Sequence, residues 1–316
     1  MAIRQACASA PASIGNVGPG FDILGQAFDA ARDTVVAVRE DAPGVRLGAV
    51  SGLVASLPGT PAGNTALAAA AAVLKAANAH FGVRLSIDKG VPLAAGMGGS
   101  AASAVAGAVA TNALLGAPFS EQELFLFALE GERVASDPPH WDNVMASLLG
   151  GLVLAARLTP PSLARLPTPV GVTSILLHPA VRIETRAARR ILSRQVPLEV
   201  VVEHSRRIAA FAAGCAVGDL DLIRAGLEDV LVEPQREHLL PVLPMVKAAA
   251  LVAGALGCSF SGSGPSVFAW APDDKAAAVE DAMARAFKEA GLVARAYRAS
   301  IGSAGARVEQ LAEMAA

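Results

Sequence analysis

A run of small residues without a single charged side chain extends from Gly90 to Ser120. Three glycines cluster at positions 96–99, and Ser100 follows them as a residue type that often caps a helix. The next fifteen residues are dominated by alanine, and Gly116 ends them, which predicts a helix over 101–115. A glycine loop before a helix start offers free N–H groups to an anion, most often phosphate. The residues alone therefore favour two interpretations equally, a phosphate-binding loop and an ordinary turn before a buried helix.

An uncharged run of this length could also span a bilayer. It contains few large apolar side chains, however, and Pro92 and the glycines interrupt its first third. A spanning helix needs more large apolar residues to offset its polar backbone. Small residues instead let a helix pack closely against a sheet, so we expect a buried helix and no membrane partner. No apolar segment follows a basic patch at the N-terminus, so we expect a cytoplasmic location.

Length and composition narrow the classes of protein further. A chain of 316 residues favours two domains. We place them at 1–156 and 157–316, because prolines at 160–169 are typical of a linker. The net charge of −2 and the few aromatic residues argue against a nucleic-acid partner. The three cysteines are far apart and odd in number, which argues against disulfides or a zinc site and favours a reducing compartment.

The pattern along the chain predicts a mixed α+β fold. The predicted strands lie at 3–10, 33–39, 45–49, 83–88, 152–156, 172–178, 258–261, 266–270 and 292–299. The predicted helices lie at 65–79, 101–115, 121–136, 185–193, 199–217, 219–229, 240–256 and 273–290. Pro11 should begin a glycine- and proline-rich turn over 12–25. Asn64 should cap the first helix, and Asp142 or Asn143 should cap a short helix after the third.

Several motifs of known chemistry are absent from the sequence. It contains no G-x-x-x-x-G-K-[ST] phosphate loop and no G-x-G-x-x-G loop opening a helix. It also contains no G-x-S-x-G nucleophile elbow and no H-E-x-x-H zinc motif. Any phosphate chemistry would therefore have to use a loop without the P-loop lysine.

Individual polar residues each allow a functional and an ordinary interpretation. Asn16 and Asp22 could present an amide and a carboxylate to a small ligand, although the segment alone favours a simple turn. Glu132, near the end of its helix, is either a metal ligand or a solvated surface residue. Arg189 and Arg236 suit a carboxylate through paired hydrogen bonds, or they are solvated helix residues.

Three segments, taken in order, are similar to the motifs of the GHMP kinases, a family that includes galactokinase, homoserine kinase, mevalonate kinase and phosphomevalonate kinase. They are Pro11–Gly25, Pro92–Ser103, which is similar to P-x-x-x-G-L-G-S-S-A-A, and Ser261–Ser266. Within the family, the chain most resembles the homoserine kinases. That resemblance lies in Asn16 with Gly20–Asp22, His140–Val144, Ala188–Arg189, Glu233–Arg236 and Gly302–Val308, and it spans nearly the whole chain.

The resemblance implies an N-terminal domain like the second domain of ribosomal protein S5 and a ferredoxin-like C-terminal domain. It implies phosphorylation of the L-homoserine side-chain hydroxyl by ATP in threonine biosynthesis, with Ser100 and Glu132 holding Mg²⁺. The residues implied to bind ATP are Asn64, Pro92, Gly96, Met97, Gly98, Gly99, Ser100, Ala101 and Ala102. The residues implied to bind L-homoserine are Asn16, Asp22, Asn143, Arg189, Arg236, Gly262, Ser263 and Gly264.

The resemblance also implies how catalysis would work. Asn143 lies in the region where many GHMP kinases have an aspartate base, and an amide cannot remove a proton at pH 7. Ser100, Glu132 and Asn143 would instead hold the reactants in line while Mg²⁺ and amide dipoles take up charge. Two residues depart from the second motif, since Gly99 replaces a serine and Met97 replaces a leucine. The missing hydroxyl should weaken phosphate contact by roughly 1 kcal/mol.

Two alternative functions stay open. One is a GHMP kinase that acts on a sugar or an isoprenoid alcohol. The charged residues Asp22, Arg189 and Arg236 argue against this alternative, because such an alcohol has no ammonium group to bind. The other is a non-catalytic nucleotide-binding relative, against which the presence of Ser100 and Glu132 argues. The oligomeric state is also open, with a homodimer as one option.

Overall fold

The computed structural model describes residues 3–313, whose strands form one sheet of seven strands and one of four. The strands are β1 (Ile3–Gly15), β2 (Leu24–Glu40), β3 (Gly44–Gly52), β4 (Gly82–Lys89), β5 (Leu152–Leu158), β6 (Pro161–Leu166), β7 (Val172–Pro179), β8 (Gly257–Phe260), β9 (Val267–Pro272), β10 (Ala294–Ser300) and β11 (Arg307–Glu313). The helices are α1 (Thr65–Ala76), α2 (Gly99–Leu114), α3 (Glu121–Glu132), α4 (Trp141–Leu149), α5 (Thr185–Arg190), α6 (Leu198–Val217), α7 (Leu220–Gly226), α8 (Glu233–Arg236), α9 (Leu243–Val252) and α10 (Ala276–Glu289).

The seven-stranded sheet has the order β11-β1-β2-β4-β3, and β5 and β6 continue it from the start of β2. Helices α1 to α4 pack against it around a core of alanine, valine and leucine side chains. Helix α2 is buried from Ala101 to Leu114, as predicted. Small side chains let it approach its neighbours closely, which is how an uncharged segment of this length fits the interior. No helix within residues 3–313 is both long enough and apolar enough to cross a membrane.

The four-stranded sheet has the antiparallel order β10-β7-β9-β8, and helices α9 and α10 pack on it. A separate apolar cluster joins the two sheets and contains Phe28, Phe211 and Trp270. The indole N–H of Trp270 donates to the buried Gln26 side chain at 2.9 Å. Because β6 and β11 pair with the seven-stranded sheet, we propose that the N-terminal unit takes in residues 161–166 and 307–313 in addition to the predicted 1–156.

Each predicted helix and strand has a counterpart in the structure, but two predicted irregular segments are partly strand. Strand β1 continues through Pro11 to Gly15, so the turn begins only at Asn16. The register of β1 against β2 shifts after Pro11, which is where a sheet tolerates a residue without an N–H donor. The predicted linker at 160–169 contains β6, and Pro161 is its first residue, another position open to proline.

One predicted helix cap is confirmed, and the others are wrong. Asn64 caps α1 as predicted, because its Oδ1 accepts from the N–H groups of residues 66 and 67 at 3.1 and 3.3 Å. Ser100 is not a cap, since Gly98 occupies that position with a φ of +63° and α2 begins one residue later. Asp142 and Asn143 are not caps either, because α4 begins after His140. The side chains of all three residues are therefore available for other partners.

Candidate active site

A cleft of about 360 Å³ lies where the loop before α2 meets the loops at 16–23 and 261–266. Twelve of the predicted site residues line it: Asn16, Asn64, Gly96, Gly98, Gly99, Ser100, Glu132, Asn143, Arg189, Arg236, Gly262 and Ser263. Six others do not line it: Asp22, Pro92, Met97, Ala101, Ala102 and Gly264. Asp22 still reaches the cleft through its ion pair with Arg189. The structure thus brings together residues that lie up to about 250 positions apart in the sequence.

The loop between β4 and α2 (residues 90–98, the glycine loop) needs its glycines for steric reasons. Gly96 and Gly98 have φ angles of +72° and +63°, which favour glycine. A Cβ atom on Gly98 would lie 2.0 Å from the hydroxyl of Ser13, and one on Gly96 would lie 2.6 Å from the carbonyl of Ser261. The loop therefore exposes backbone to the cleft directly before the N–H groups of the α2 start, an arrangement suited to an anion.

A buried ion pair that the sequence reasoning missed holds both ends of the glycine loop. The side chains of Lys89 and Asp33 are 2% and 0% exposed and form a salt bridge. The Lys89 ammonium also donates to the Gly99 carbonyl and to the Ser103 hydroxyl, each at 2.9 Å. Asp33 accepts from the N–H groups of residues 90 and 91 at 3.1 and 3.0 Å. The only sequence signal for this pair is a lysine at the end of the strand before the loop.

Ser100, Glu132 and His140 form a polar cluster at the start of α2. The Ser100 hydroxyl donates to Glu132 Oε1 at 2.9 Å, and His140 Nδ1 lies 3.0 Å from the same oxygen. Glu132 is only 1% exposed, and its Oε2 has no hydrogen-bond partner among residues 3–313. Burial by itself lowers the pKa of His140, but the hydrogen bond and charge of Glu132 outweigh it, so the pKa is raised above its ordinary value. The cluster thus contains a buried carboxylate oxygen without a partner.

A second network fixes the amide of Asn143. The Ser13 hydroxyl donates to its Oδ1 at 2.9 Å, and its Nδ2 donates to Asp142 Oδ1 at 3.1 Å. The other oxygen of Asp142 accepts the backbone N–H of Asn16 at 2.9 Å. Burial raises the pKa of Asp142, and the charge of Asp22 raises it further. The sequence pattern predicts no site role for Ser13 or Asp142, because serine in a turn and aspartate near a helix start are common.

The three charged residues predicted for the substrate lie together. Arg189 on α5 donates two hydrogen bonds to Asp22, at 2.8 and 2.7 Å. Arg236 on α8 is 3% exposed, donates to the Ala188 carbonyl at 3.0 Å, and forms no salt bridge within residues 3–313. Burial, and then the charge of Arg189, lower the pKa of Arg236 to about 10, so it stays charged at neutral pH. The cleft wall therefore carries a buried cation without an anionic partner.

The loop at 261–266 connects the C-terminal sheet to the other two loops. The Ser261 and Ser266 hydroxyls donate to the carbonyls of Gly96 and Ala95, each at 2.6 Å. The N–H of Gly262 donates to the Gly15 carbonyl at 2.9 Å. These bonds fix the glycine loop relative to the loop at 16–23. The three segments that are similar to the GHMP kinase motifs therefore form one hydrogen-bonded unit.

Asn64 lines the cleft, as do Leu57 and Pro58. Its Oδ1 is used in capping α1, and its Nδ2 donates to the Pro58 carbonyl at 3.0 Å. The Asn64 side chain therefore fixes the shape of this part of the cleft.

Comparison with known proteins agrees with this geometry. The chain matches the family models "GHMP kinases N terminal domain" over residues 64–151 and "GHMP kinases C terminal" over residues 208–289. The homoserine kinase of Xanthomonas campestris pv. campestris (strain B100) is 46% identical over 309 residues, which cover 97% of this chain and 94% of that protein.

Solved structures point the same way. The crystal structure of homoserine kinase from Cytophaga hutchinsonii matches with a TM-score of 0.92 at 37% identity, over 96% of this chain and 97% of that one. L. major mevalonate kinase in complex with R-mevalonate matches with a TM-score of 0.68 at 17% identity, over 94% and 96% of the two chains, which shows a shared fold alone. The resemblance that the sequence motifs predict is therefore confirmed, and the chain belongs to the homoserine kinases of the GHMP kinase family.

Proposed function

We propose that the cleft transfers the γ-phosphoryl group of ATP to the side-chain hydroxyl of L-homoserine, which yields the O-phospho-L-homoserine of threonine biosynthesis. Membership of a kinase family supports ATP as the phosphoryl donor. The relatives with high identity over nearly the whole chain are named homoserine kinases, which supports the acceptor. In this proposal the glycine loop and the start of α2 bind the triphosphate through backbone N–H groups.

The observation that carries the proposal is the buried guanidinium of Arg236, which forms no salt bridge within residues 3–313. The charges of Asp22, Asp229 and Asp142 favour it only from a distance, and a buried cation without a direct anionic contact is costly, which supports an anionic ligand at this point. Arg236 lies beside the Arg189–Asp22 pair, so the same wall offers cations for a carboxylate and an anion for an ammonium. An α-amino acid carries both groups. Mevalonate carries only the carboxylate, and a sugar carries neither.

The donor set near Ser100 fits a magnesium ion. Glu132 keeps a buried carboxylate oxygen without a partner, and the Ser100 hydroxyl lies beside it. Mg²⁺ usually takes only one or two protein carboxylates, because phosphate and water oxygens complete its coordination. Within residues 3–313 no group of three or more acidic, histidine or cysteine side chains could hold a metal ion, so phosphate and water oxygens would have to supply most of the ligands. When bound, Mg²⁺ would neutralise charge on the transferring phosphoryl group.

The chain's own residues would act mainly by positioning. Asn143 is held at both ends of its amide, and we assign it to orient the substrate hydroxyl. The oxygens of Asp142 accept N–H groups of Asn16 and Asn143, so in this proposal Asp142 holds Asn143 in place. Phosphoryl transfer through a loose transition state makes little demand on a base, and in-line orientation of two reactants can contribute about 7 kcal/mol or more.

A panel of acceptors tests the proposal. The purified chain is supplied with Mg-ATP and with L-homoserine, R-mevalonate or D-galactose, and ADP release is followed in a coupled assay. We expect turnover with L-homoserine and only background rates with the other two. Turnover confined to mevalonate would contradict the proposed acceptor. Absence of turnover with every acceptor would favour a non-catalytic relative.

We further propose that the enzyme works in the cytoplasm. Cys7, Cys215 and Cys258 are free thiols, which supports a reducing compartment. The homodimer stays a prediction that sedimentation of the purified protein would decide.

A further inference from the structure

The aromatic ring of Phe21 lies next to both arginines of the proposed carboxylate site. The guanidinium carbons of Arg189 and Arg236 are 5.4 and 5.2 Å from the ring centroid. Phe21 is partly exposed and lines the cleft. We propose that Phe21 is a positioning residue that holds the two guanidinium groups together as one receptor for the substrate carboxylate. This inference rests on the proposed function, because it concerns the same substrate.

Hydrogen bonds hold each guanidinium separately, since Asp22 accepts from Arg189 and the carbonyls of Ala188 and Gly262 accept from Arg236, but they do not offset the repulsion between the two. The charge of Arg189 opposes that of Arg236, and it contributes to the lowered pKa of Arg236. Asp22 forms an ion pair with Arg189 but not with Arg236. An aromatic face is negative at its centre and attracts cations within about 6 Å. The ring therefore offers both arginines an attraction that an aliphatic side chain of similar size would lack.

The ring is placed by a rigid turn. Asn16 and Asp22, on either side of the turn, have φ angles of +58° and +61°. The Asn16 side chain accepts the N–H of Asp22 at 2.9 Å and donates to the Gly262 carbonyl at 2.9 Å. Asn16 thus connects the turn that carries Phe21 to the loop beside Arg236. The position of the ring is set by the N-terminal sheet, whereas both arginines come from C-terminal helices.

Three variants test the inference. Phe21→Leu removes the ring, Phe21→Tyr keeps it, and Phe81→Leu is a matched control. Arg39 lies 3.5 Å from the centre of the Phe81 ring, and neither residue lines the cleft. We expect Phe21→Leu to raise the KM for L-homoserine about tenfold, with kcat and the KM for ATP changed less than about twofold. Phe21→Tyr should keep the KM for L-homoserine within about twofold of the parent value. Phe81→Leu should leave kcat and both KM values unchanged.

A double-mutant cycle separates this role from simple space filling. In an Arg236→Ala background, Phe21→Leu should raise the KM for L-homoserine far less than it does alone. Equal effects in both backgrounds, or an unchanged KM in Phe21→Leu, would overturn the inference. If Phe21→Leu melts early, Phe21→Met supplies a flexible side chain of similar size without an aromatic face, and the same outcomes apply.

The same data distinguish failure of the inference from failure of the proposed function. If Arg236→Ala leaves the KM for L-homoserine unchanged, the carboxylate site itself is wrong, whatever Phe21→Leu does. If Arg236→Ala raises that KM but Phe21→Leu does not, only the role of Phe21 is wrong. Arg224→Ala, which changes an arginine of α7 that does not line the cleft, controls for loss of a positive charge.

Discussion

Replacement of Glu132 by glutamine should separate activity from stability more cleanly than any other single change in the cleft. The carboxylate is buried, yet one of its oxygens has no partner within residues 3–313. Glutamine keeps the shape of the side chain and an oxygen that can accept from Ser100 and His140. It loses only the negative charge and the unpartnered oxygen, which are the features that we assign to the metal.

Two contributions to stability oppose each other in this variant. A buried carboxylate oxygen without a partner costs about 1–3 kcal/mol, and Glu132→Gln relieves only the part due to its charge, because the glutamine N–H groups in its place also lack an acceptor. The hydrogen bond from His140 loses its charge assistance, which removes about 1–2 kcal/mol. The two contributions offset each other in part, so we expect the apparent free energy of unfolding to fall by no more than about 2 kcal/mol.

The effect on turnover should be much larger. Removing one group that stabilises charge in a transition state typically lowers kcat by about 10²–10³, equivalent to about 3–4 kcal/mol. If Glu132 holds Mg²⁺, the variant should also need a higher Mg²⁺ concentration for half-maximal activity. The combination of a small stability change and a large loss of turnover is the signature of a functional carboxylate.

The assay pairs ADP release over a series of Mg²⁺ concentrations with urea unfolding of the metal-free protein. Glu130→Gln is the matched control, because Glu130 lies on the same helix with its side chain 64% exposed. Equal kcat values in Glu130→Gln and Glu132→Gln would refute the metal assignment. A loss of more than about 3 kcal/mol in Glu132→Gln would show instead that the carboxylate is structural.

Two further predictions follow from other buried groups. Lys89→Met should lower the free energy of unfolding by about 3–5 kcal/mol, because it leaves Asp33 buried without its cation. The paired Lys89→Met/Asp33→Leu variant should recover only part of that loss in urea unfolding, because the N–H groups of residues 90 and 91 still lack their acceptor, and it should keep a raised KM for ATP. A normal KM would show that the pair does not hold the loop. The pKa of His140 is raised above its ordinary value of 6.5. The stability that the charged His140 side chain contributes should therefore be complete below pH 6.5, and it should be lost as the pH rises through the folded-state pKa. Urea unfolding of the parent and His140→Asn as a function of pH should show this difference, and parallel curves would contradict it.

The local sequence predicts helix α2 and the glycine loop before it. The alanine-rich run predicts α2 because it disfavours strand and loop alike. The start of α2 was misplaced because Gly98 can take the left-handed conformation that begins the helix early. Because Gly98 begins the helix, the Ser100 hydroxyl does not cap it and instead donates to Glu132.

Contacts between distant segments could not be predicted in the same way. Asp33 and Lys89 look like the ends of two separate strands, and they meet only because β2 and β4 are neighbours, with Thr34 opposite Asp88. The prolines at 160–169 were misinterpreted for a related reason. Proline is acceptable at the first position of an edge strand, and nothing in the local pattern shows that β5 offers a partner there.

The pairing of Asp22 with Arg189 shows what single-residue assignments leave out. The resemblance implied an ammonium for one and a carboxylate for the other, but in the structure the two residues neutralise each other. A zwitterionic amino acid can exchange with such a pair, because it supplies a new partner to each side chain and leaves the net charge of the wall unchanged. A hydroxy acid such as mevalonate would bind Arg189 through its carboxylate and leave Asp22 without a cation. A neutral sugar would replace neither partner of the pair. We therefore propose that this chain discriminates among alcohols through the ion pair as a unit, in addition to Arg236, rather than through either residue alone.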